Sequence, residues 1–248
     1  MNDTLHHQYA HCSIRQFKDE PLTNDQIQAI VQAASHTPSY MFIQAASIIG
    51  ITDPQKQKAI AEICKQPYVA ECGYLFVIVA DMNRDVRIAE AQSLPCENLG
   101  RTERFFPAFY DATLMTMNMV TAAESMGLGT VVLGSINRDM PAMIELLDLP
   151  EYTFPCLGLA VGVPDQAPAL KPRLPLDIIF MENSYKPLEN PMETLEAYDA
   201  DVHQYYDLRN TTTPVPPFTT QIGKYLSAPV NNQPSFLETL QKQGFLKD

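Results

Sequence analysis

The segment Tyr74-Leu75-Phe76-Val77-Ile78-Val79-Ala80 constrains the fold more than any other. Its β-branched and aromatic residues suit extended chain and it is too short for a buried helix, so it predicts a central strand. The clean apolar part, Leu75 to Ala80, is the longest in the chain at six residues, where a bilayer-spanning helix needs about 18. No membrane span fits. The neighbouring segments take turns between strand and helix patterns. Thr23 caps a helix of 24–35, with Gln26 at capping-box spacing and Ile27, Ile30, Val31 and Ala34 at helical period. Ser47 to Thr52 predicts a strand, and Asp53-Pro54 a cap and first-turn proline for a helix over 54–65.

Residues 85–103 are polar and read as irregular, and a long helix over 103–126 follows, ended by Gly127-Leu128-Gly129. Its stretch Ala112 to Ala123 is weakly polar all round, which predicts contact on more than one face, in a core or a subunit interface. A strand at Thr130 to Leu133, a helix over 139–148 and a strand at Cys156 to Val163 complete the alternation. Beyond Val163 the prolines 164, 168, 172 and 175 predict extended chain, helix returns over 195–209, and Pro214, Pro216 and Pro217 break it again. The last element opens at Pro234 and closes at Gly244, with Phe245 placed to pack back on it. The expected organisation is a core over 1–165 and an arm over 166–248 that wraps something rather than forming a second core, together one structural domain.

The 248 residues are 46% hydrophobic and 19% charged, enough for a substantial core in one large domain or two small ones. The formal charge of −12 excludes a nucleic-acid binder, which needs clustered Lys and Arg on phosphates. Met1 to His7 lacks the basic start and apolar stretch of a secretory signal, which places the protein in the cytoplasm by expectation. The five cysteines, Cys12, Cys64, Cys72, Cys96 and Cys156, are scattered without a C-x-x-C pair, so neither a disulfide framework nor a zinc site is expected. No P-loop, G-x-G-x-x-G, H-E-x-x-H or G-x-S-x-G occurs. No metal is expected.

Two clusters stand out in so acidic a chain: His11-Cys12-Ser13-Ile14-Arg15 and Leu170-Lys171-Pro172-Arg173-Leu174-Pro175. Cations and a hydroxyl offered from short non-helical segments suit a phosphate dianion. Each cluster alone reads equally well as solvated surface cations.

Taken with their setting, these clusters resemble the oxygen-insensitive nitroreductases and flavin reductases, of the major NADPH-nitroreductase type. The resemblance covers nearly the whole chain. It is carried by His11-x-Ser13-Ile14-Arg15-x-Phe17 with Asp19-Glu20-Pro21, Gln44, Gln66-x-Tyr68-Val69-Ala70, Asp111, Asn118 and Ala122 to Gly129. Leu133-Gly134, Gly158, Gly162, the Leu170–Pro175 run and Glu182-Asn183-Ser184-Tyr185 extend it. It implies an α+β fold, a central, mainly antiparallel sheet flanked by helices, in an intertwined homodimer with FMN at its interface. The long helix becomes the dimer seam and the proline-rich arm embraces the partner, giving two equivalent sites.

Carried over by position, His11, Cys12, Ser13, Ile14 and Arg15 bind the cofactor, with His11, Ser13 and Arg15 at the ribityl phosphate and Lys171 and Arg173 completing the anion cage. Gln66 and Tyr68 lie against the isoalloxazine, Ser39 belongs to a stretch near it, and Val132, Leu133, Gly134 and Ser135 pass its N5 edge. Gly134 alone also reads as a turn glycine, and Gln66 and Tyr68 as loop surface. The implied activity is ping-pong hydride transfer from NADPH or NADH to FMN and on to a small-molecule acceptor such as a nitroaromatic or quinone. The alternatives are a reductase supplying free reduced flavin, or a flavin-binding redox module without turnover. No proton donor is evident; Glu103 aligns with an acidic family position and equally reads as a first-turn glutamate favouring the helix dipole.

The chain departs from the family in three places. Cys12 stands where relatives often carry Arg, Pro38-Ser39-Tyr40-Met41 replaces a serine-rich stretch, and after Arg209 the run Asn210 to Pro217 lacks further arginines for a coenzyme 2′-phosphate. Arg209 is left as the candidate coenzyme contact, and a weakened preference for NADPH or outright use of NADH is expected.

Overall fold

A computed structural model describes residues 2–205, 214–229 and 234–247. They form two compact units, Met1–Gln166 with Asn232–Asp248, and Ala167–Asn231. In chain order the first unit begins α1 (Asp3–Tyr9), α2 (Asn24–Ser35), β1 (Ala46–Ile51), α3 (Pro54–Cys64) and β2 (Tyr74–Asp81). It continues with α4 (Asn83–Ala91), α5 (Thr102–Ser125), β3 (Gly129–Leu133), α6 (Met140–Leu146) and β4 (Thr153–Gly162). The strands lie in the order β1-β2-β4-β3, every pair antiparallel, so β2 is central as its composition predicts.

The period-2 alternation of β2 divides the core. Phe76, Ile78 and Ala80 face α2 and α5 and pack with Ile30, Ala34, Ala108, Ala112, Met119 and Phe154. Leu75, Val77 and Val79 face the opposite way, onto Ile60, Ala61 and Cys64 of α3 and Met143 of α6. Each large side chain so enclosed contributes about 1.5–3 kcal/mol.

Local signals account for the helix starts. Thr23 and Gln26 close a reciprocal capping box on α2, and the Asp53 side chain accepts from the Gln55 backbone N–H ahead of Pro54 at the head of α3. In the first unit two helices go beyond the sequence expectation. The Asn2 side chain caps α1, and α4 starts at Asn83 and runs into the stretch read as irregular although it buries only Val86. β4 also begins earlier than expected, at Thr153, and runs through Pro155. The proline fits because the β2–β4 register shifts between Ile78 and Val79, and a bulge frees its position from donating to the ladder.

The second unit contains α7 (Leu176–Ile179), α8 (Pro191–Thr194), α9 (Glu196–Gln204) and α10 (Phe218–Ser227). Its only buried residues among those described are Leu195 and Val202. Asp199 of α9 caps α10 by accepting from the Thr219 backbone N–H at 2.9 Å, and Tyr198 meets Phe218 edge to face.

The chain then returns to the first unit through α11 (Phe236–Lys242), opened by a Ser235–Glu238 capping box. Phe245 does pack back: it is fully buried, with its ring centroid 5.1 Å from that of Phe105. Gly244 makes the turn at φ +91°, where a Cβ would sit 2.6 Å from the Tyr152 ring. Backbone bonds from Tyr152 N to Gln243 O and from Lys247 N to Gly100 O seal the closure.

Candidate functional site

The stretch from Cys12 to Phe17 is held as extended chain. Ser13 bridges Thr130 of β3 in parallel and Phe17 bridges Pro164, while Ile14 N donates to Thr130 O at 2.8 Å. Successive side chains therefore point to opposite faces. Ile14 turns inward and is buried against Gly129, where any Cβ would clash with it, and Ser13 and Arg15 turn the other way. Ile14 thus acts as the peg that sets the segment, not as a side chain offered to a ligand. Arg15 Nη1 reaches only the Ser13 carbonyl, at 3.4 Å, and its charge meets no acidic side chain among the described residues. His11 Nδ1 lies 2.7 Å from Glu124 Oε1, an acceptor the sequence placed in a motif but not in a site.

β3 leads from this segment to a second group. Gly134 stands four positions beyond Thr130, about 13 Å along extended chain. It follows Leu133, whose side chain is buried, and Val132, which is 37% exposed. Gly134 does open a 3-10 turn directly after β3, yet its φ lies outside the left-handed region and nothing lies within 4 Å of where a Cβ would be. Neither backbone strain nor packing within the described residues calls for glycine, so the bare backbone leaves room beside it.

Next to that opening, the four-residue 3-10 turn Pro67–Ala70 after α3, with Gln66 at its N-cap, presents Gln66 and Tyr68. The Tyr68 hydroxyl donates to Gln66 Oε1, and the Ser135 hydroxyl donates to the same oxygen at 3.3 Å. With its carbonyl occupied twice, the Gln66 amide presents its NH2 as the free-facing end. Cys64 lies behind: burial pushes its thiol up, against a hydrogen bond to Ser135 and the charge of Arg138. Both residues are therefore fixed by this network rather than being loop surface.

A third group surrounds Ser39. The loop after α2 takes left-handed backbone at Met41, Phe42 and Gln44, which non-glycine residues adopt only when held. Asp111, buried in α5, holds it by accepting from Tyr40 N at 2.9 Å and Ala45 N at 3.1 Å. Asn118, about two helix turns along, donates to Thr37 Oγ1 at 2.9 Å. Ser39, Phe42, Gln44 and Asp111 line a hollow of about 580 Å³, and Phe42 is 83% exposed. Asp111 and Asn118, two residues that carry the family resemblance, thus serve to shape this loop.

Of the remaining expectations, Glu103 lies exposed in the first turn of α5 and pairs with Arg101 at 3.3 Å, the environment of a helix-start glutamate. In the second unit Arg173 Nη1 donates to Lys171 O at 2.9 Å, and Tyr198, beside Arg173, has its hydroxyl pushed up mainly by burial. Arg209 lies outside the described residues. Among the described residues no cluster of three or more metal-ligating side chains gathers, and no helix is long and apolar enough to cross a membrane.

Residues 10–163 match the model of the nitroreductase family, and residues 171–248 that of the nitroreductase family C-terminal domain. A curated NADPH-dependent oxidoreductase of Staphylococcus saprophyticus is 38% identical over 241 residues, spanning 96% of this chain and 95% of that protein. Among solved structures, NfrA1 of B. megaterium superposes with a TM-score of 0.93 at 36% identity, covering 99% of this chain and 100% of the other. An NADPH:FMN oxidoreductase from Vibrio harveyi, complexed with NAD+, gives 0.89 at 31% identity with both chains fully covered.

Proposed function

The chain belongs to the nitroreductase family, and from that premise we propose that it is an FMN-dependent NAD(P)H oxidoreductase that passes two electrons to a nitroaromatic, quinone or similar small acceptor. The observation that carries the reading is the open backbone at Gly134 beside the oriented Gln66 amide. A flat ring can approach that bare backbone closely, and the Gln66 NH2, its carbonyl being occupied by Tyr68 and Ser135, is left as a donor for a ring carbonyl or nitrogen. Bound FMN would supply the hydride chemistry.

The protein's part is to bind and orient. Arg15 is suited to a planar bidentate grip on a phosphate, and Ser13 stands on the same face of the segment with a hydroxyl to donate. Lys171 and Arg173 are assigned to the same phosphate on the family likeness. Cys12 and Ser39 are assigned to the cofactor's surroundings on that likeness too, while Val132, Leu133 and Ser135 frame the approach to Gly134. A homodimer is part of the proposal, because α5 exposes Phe106, Tyr110, Leu114 and Met117 along one stripe. The named relatives use NADPH; with only Arg209 remaining in its stretch, this chain is proposed to discriminate less strongly in favour of NADPH.

The test is an absorbance titration of the purified protein. A flavin spectrum that bleaches with NADPH or NADH, and returns on adding a nitroaromatic without oxygen, supports the proposal. Protein without flavin bands, or with bands that do not bleach, overturns it. The double variant Arg15→Ala, Lys171→Ala is expected to purify colourless, and kcat/KM with the two coenzymes is expected to fall within about tenfold of each other. The Vibrio harveyi neighbour favours a second reading, with free FMN as the acceptor at the same site; it predicts turnover with added FMN and none with a nitroaromatic alone.

A further inference from the structure

Glu124 occupies a position that its own helix disfavours. It lies in the last turn of α5, where the unpaired carbonyls concentrate partial negative charge and a carboxylate is opposed by about 0.3–1 kcal/mol. Its side chain is only 15% exposed. Two groups answer it: His11 Nδ1 at 2.7 Å and the Thr130 hydroxyl at 2.6 Å, both on the same Oε1. An ionised carboxylate oxygen only accepts, so both neighbours donate, and the imidazole has committed its Nδ1–H. Thr130 is fully buried and through its carbonyl also anchors Ile14 N, so β3 and α5 grip the His11–Arg15 segment at two successive points.

The ring's other nitrogen, Nε2, is engaged by no described residue. Phosphate oxygens, like carboxylate oxygens, accept hydrogen bonds; a phosphate at this segment is met by Nε2 only when that atom also carries a proton. The ring is then an imidazolium, with Glu124 as its counter-charge and the carbonyl end of α5 favouring the cation. We infer that Glu124 is a positioning residue by which the chain distinguishes a phosphorylated flavin from an unphosphorylated one while touching neither. Thr130 holds the carboxylate, the carboxylate holds His11, and His11 faces the dianion. The inference deepens the FMN proposal and rests on it.

Full-length apoprotein titrated with FMN and with riboflavin, by flavin fluorescence, separates the two. Glu124→Gln keeps an acceptor and removes the charge; it is expected to raise the FMN dissociation constant about tenfold and leave riboflavin within about twofold. His11→Ala is expected to do the same, and the double variant to add nothing further. Thr130→Val, nearly isosteric, is expected to lower the FMN-to-riboflavin preference about threefold and serves if Glu124→Gln does not fold. Equal weakening of both flavins by Glu124→Gln reveals a purely structural role and overturns the inference. Unchanged FMN binding in Glu124→Gln alongside weakened binding in His11→Ala overturns it alone. Unchanged FMN binding in His11→Ala, or no flavin binding by the parent protein, overturns the phosphate-site reading beneath it.

Discussion

The two units of this chain handle their apolar residues in opposite ways. The sheet unit distributes them to both faces of β2 and encloses them under α2 and α5 on one side and α3 and α6 on the other. The unit over 167–231 encloses Leu195 and Val202 and leaves Leu176, Ile179, Phe180, Tyr185, Tyr225 and Leu226 exposed. The first is stabilised by its own burial. The second has too little of it to offset the entropy of ordering its residues, and its apolar surface points to a covering from outside. The proposed homodimer is such a covering.

That contrast is open to attack where its effect is largest. Phe154→Ala is expected to lower unfolding free energy by about 3–5 kcal/mol, measured in urea, because the ring is buried beside Phe105. Leu226→Ala, at a dilution where the chain is single, is expected to change it by less than about 0.5 kcal/mol; a loss as large as that at Phe154 would show the side chain covered within one chain and break the comparison. Asp111→Ala, which strands two backbone donors, is expected to cost about 2–3 kcal/mol. The melting temperature is expected to rise with protein concentration, and Leu114→Lys to abolish that rise and yield monomers in sedimentation. The smallest effect is chemical: in the folded protein a bulky thiol reagent is expected to modify Cys12 and Cys96 and spare Cys64, Cys72 and Cys156. Burial also pushes the Cys72 thiol up to about 11 and Cys156 up to about 12, so neither supplies thiolate at pH 8.

Much of the sheet unit was legible beforehand because its signals are local. The Thr23–Gln26 box, the Asp53-Pro54 start, the β-branched run of β2 and the glycine stop after α5 each carry their own instructions. α4 was not legible because it is short and mostly polar and buries only Val86. Pro155 hid the start of β4, since its fit depends on a bulge made by another strand. The site divides the same way. His11, Arg15, Gln66 and Gly134 were named from short motifs, whereas the roles of Glu124 and Asp111 depend on what a distant segment brings to them. A carboxylate in a helix carries no mark of the backbone it will hold.

The return of α11 to the sheet unit has a consequence for folding order. Residues 167–231 are anchored at both ends, so closing the aromatic cluster of Phe105, Tyr152 and Phe245 also closes a long loop. Loop entropy rises only slowly with length, so the penalty in stability is modest, yet contacts of such sequence separation delay the search for them. The sheet and its early helices are expected to assemble first, and Phe245 to be a latch that snaps shut last, with φ-values near zero at α11 and high values in β2 and α5.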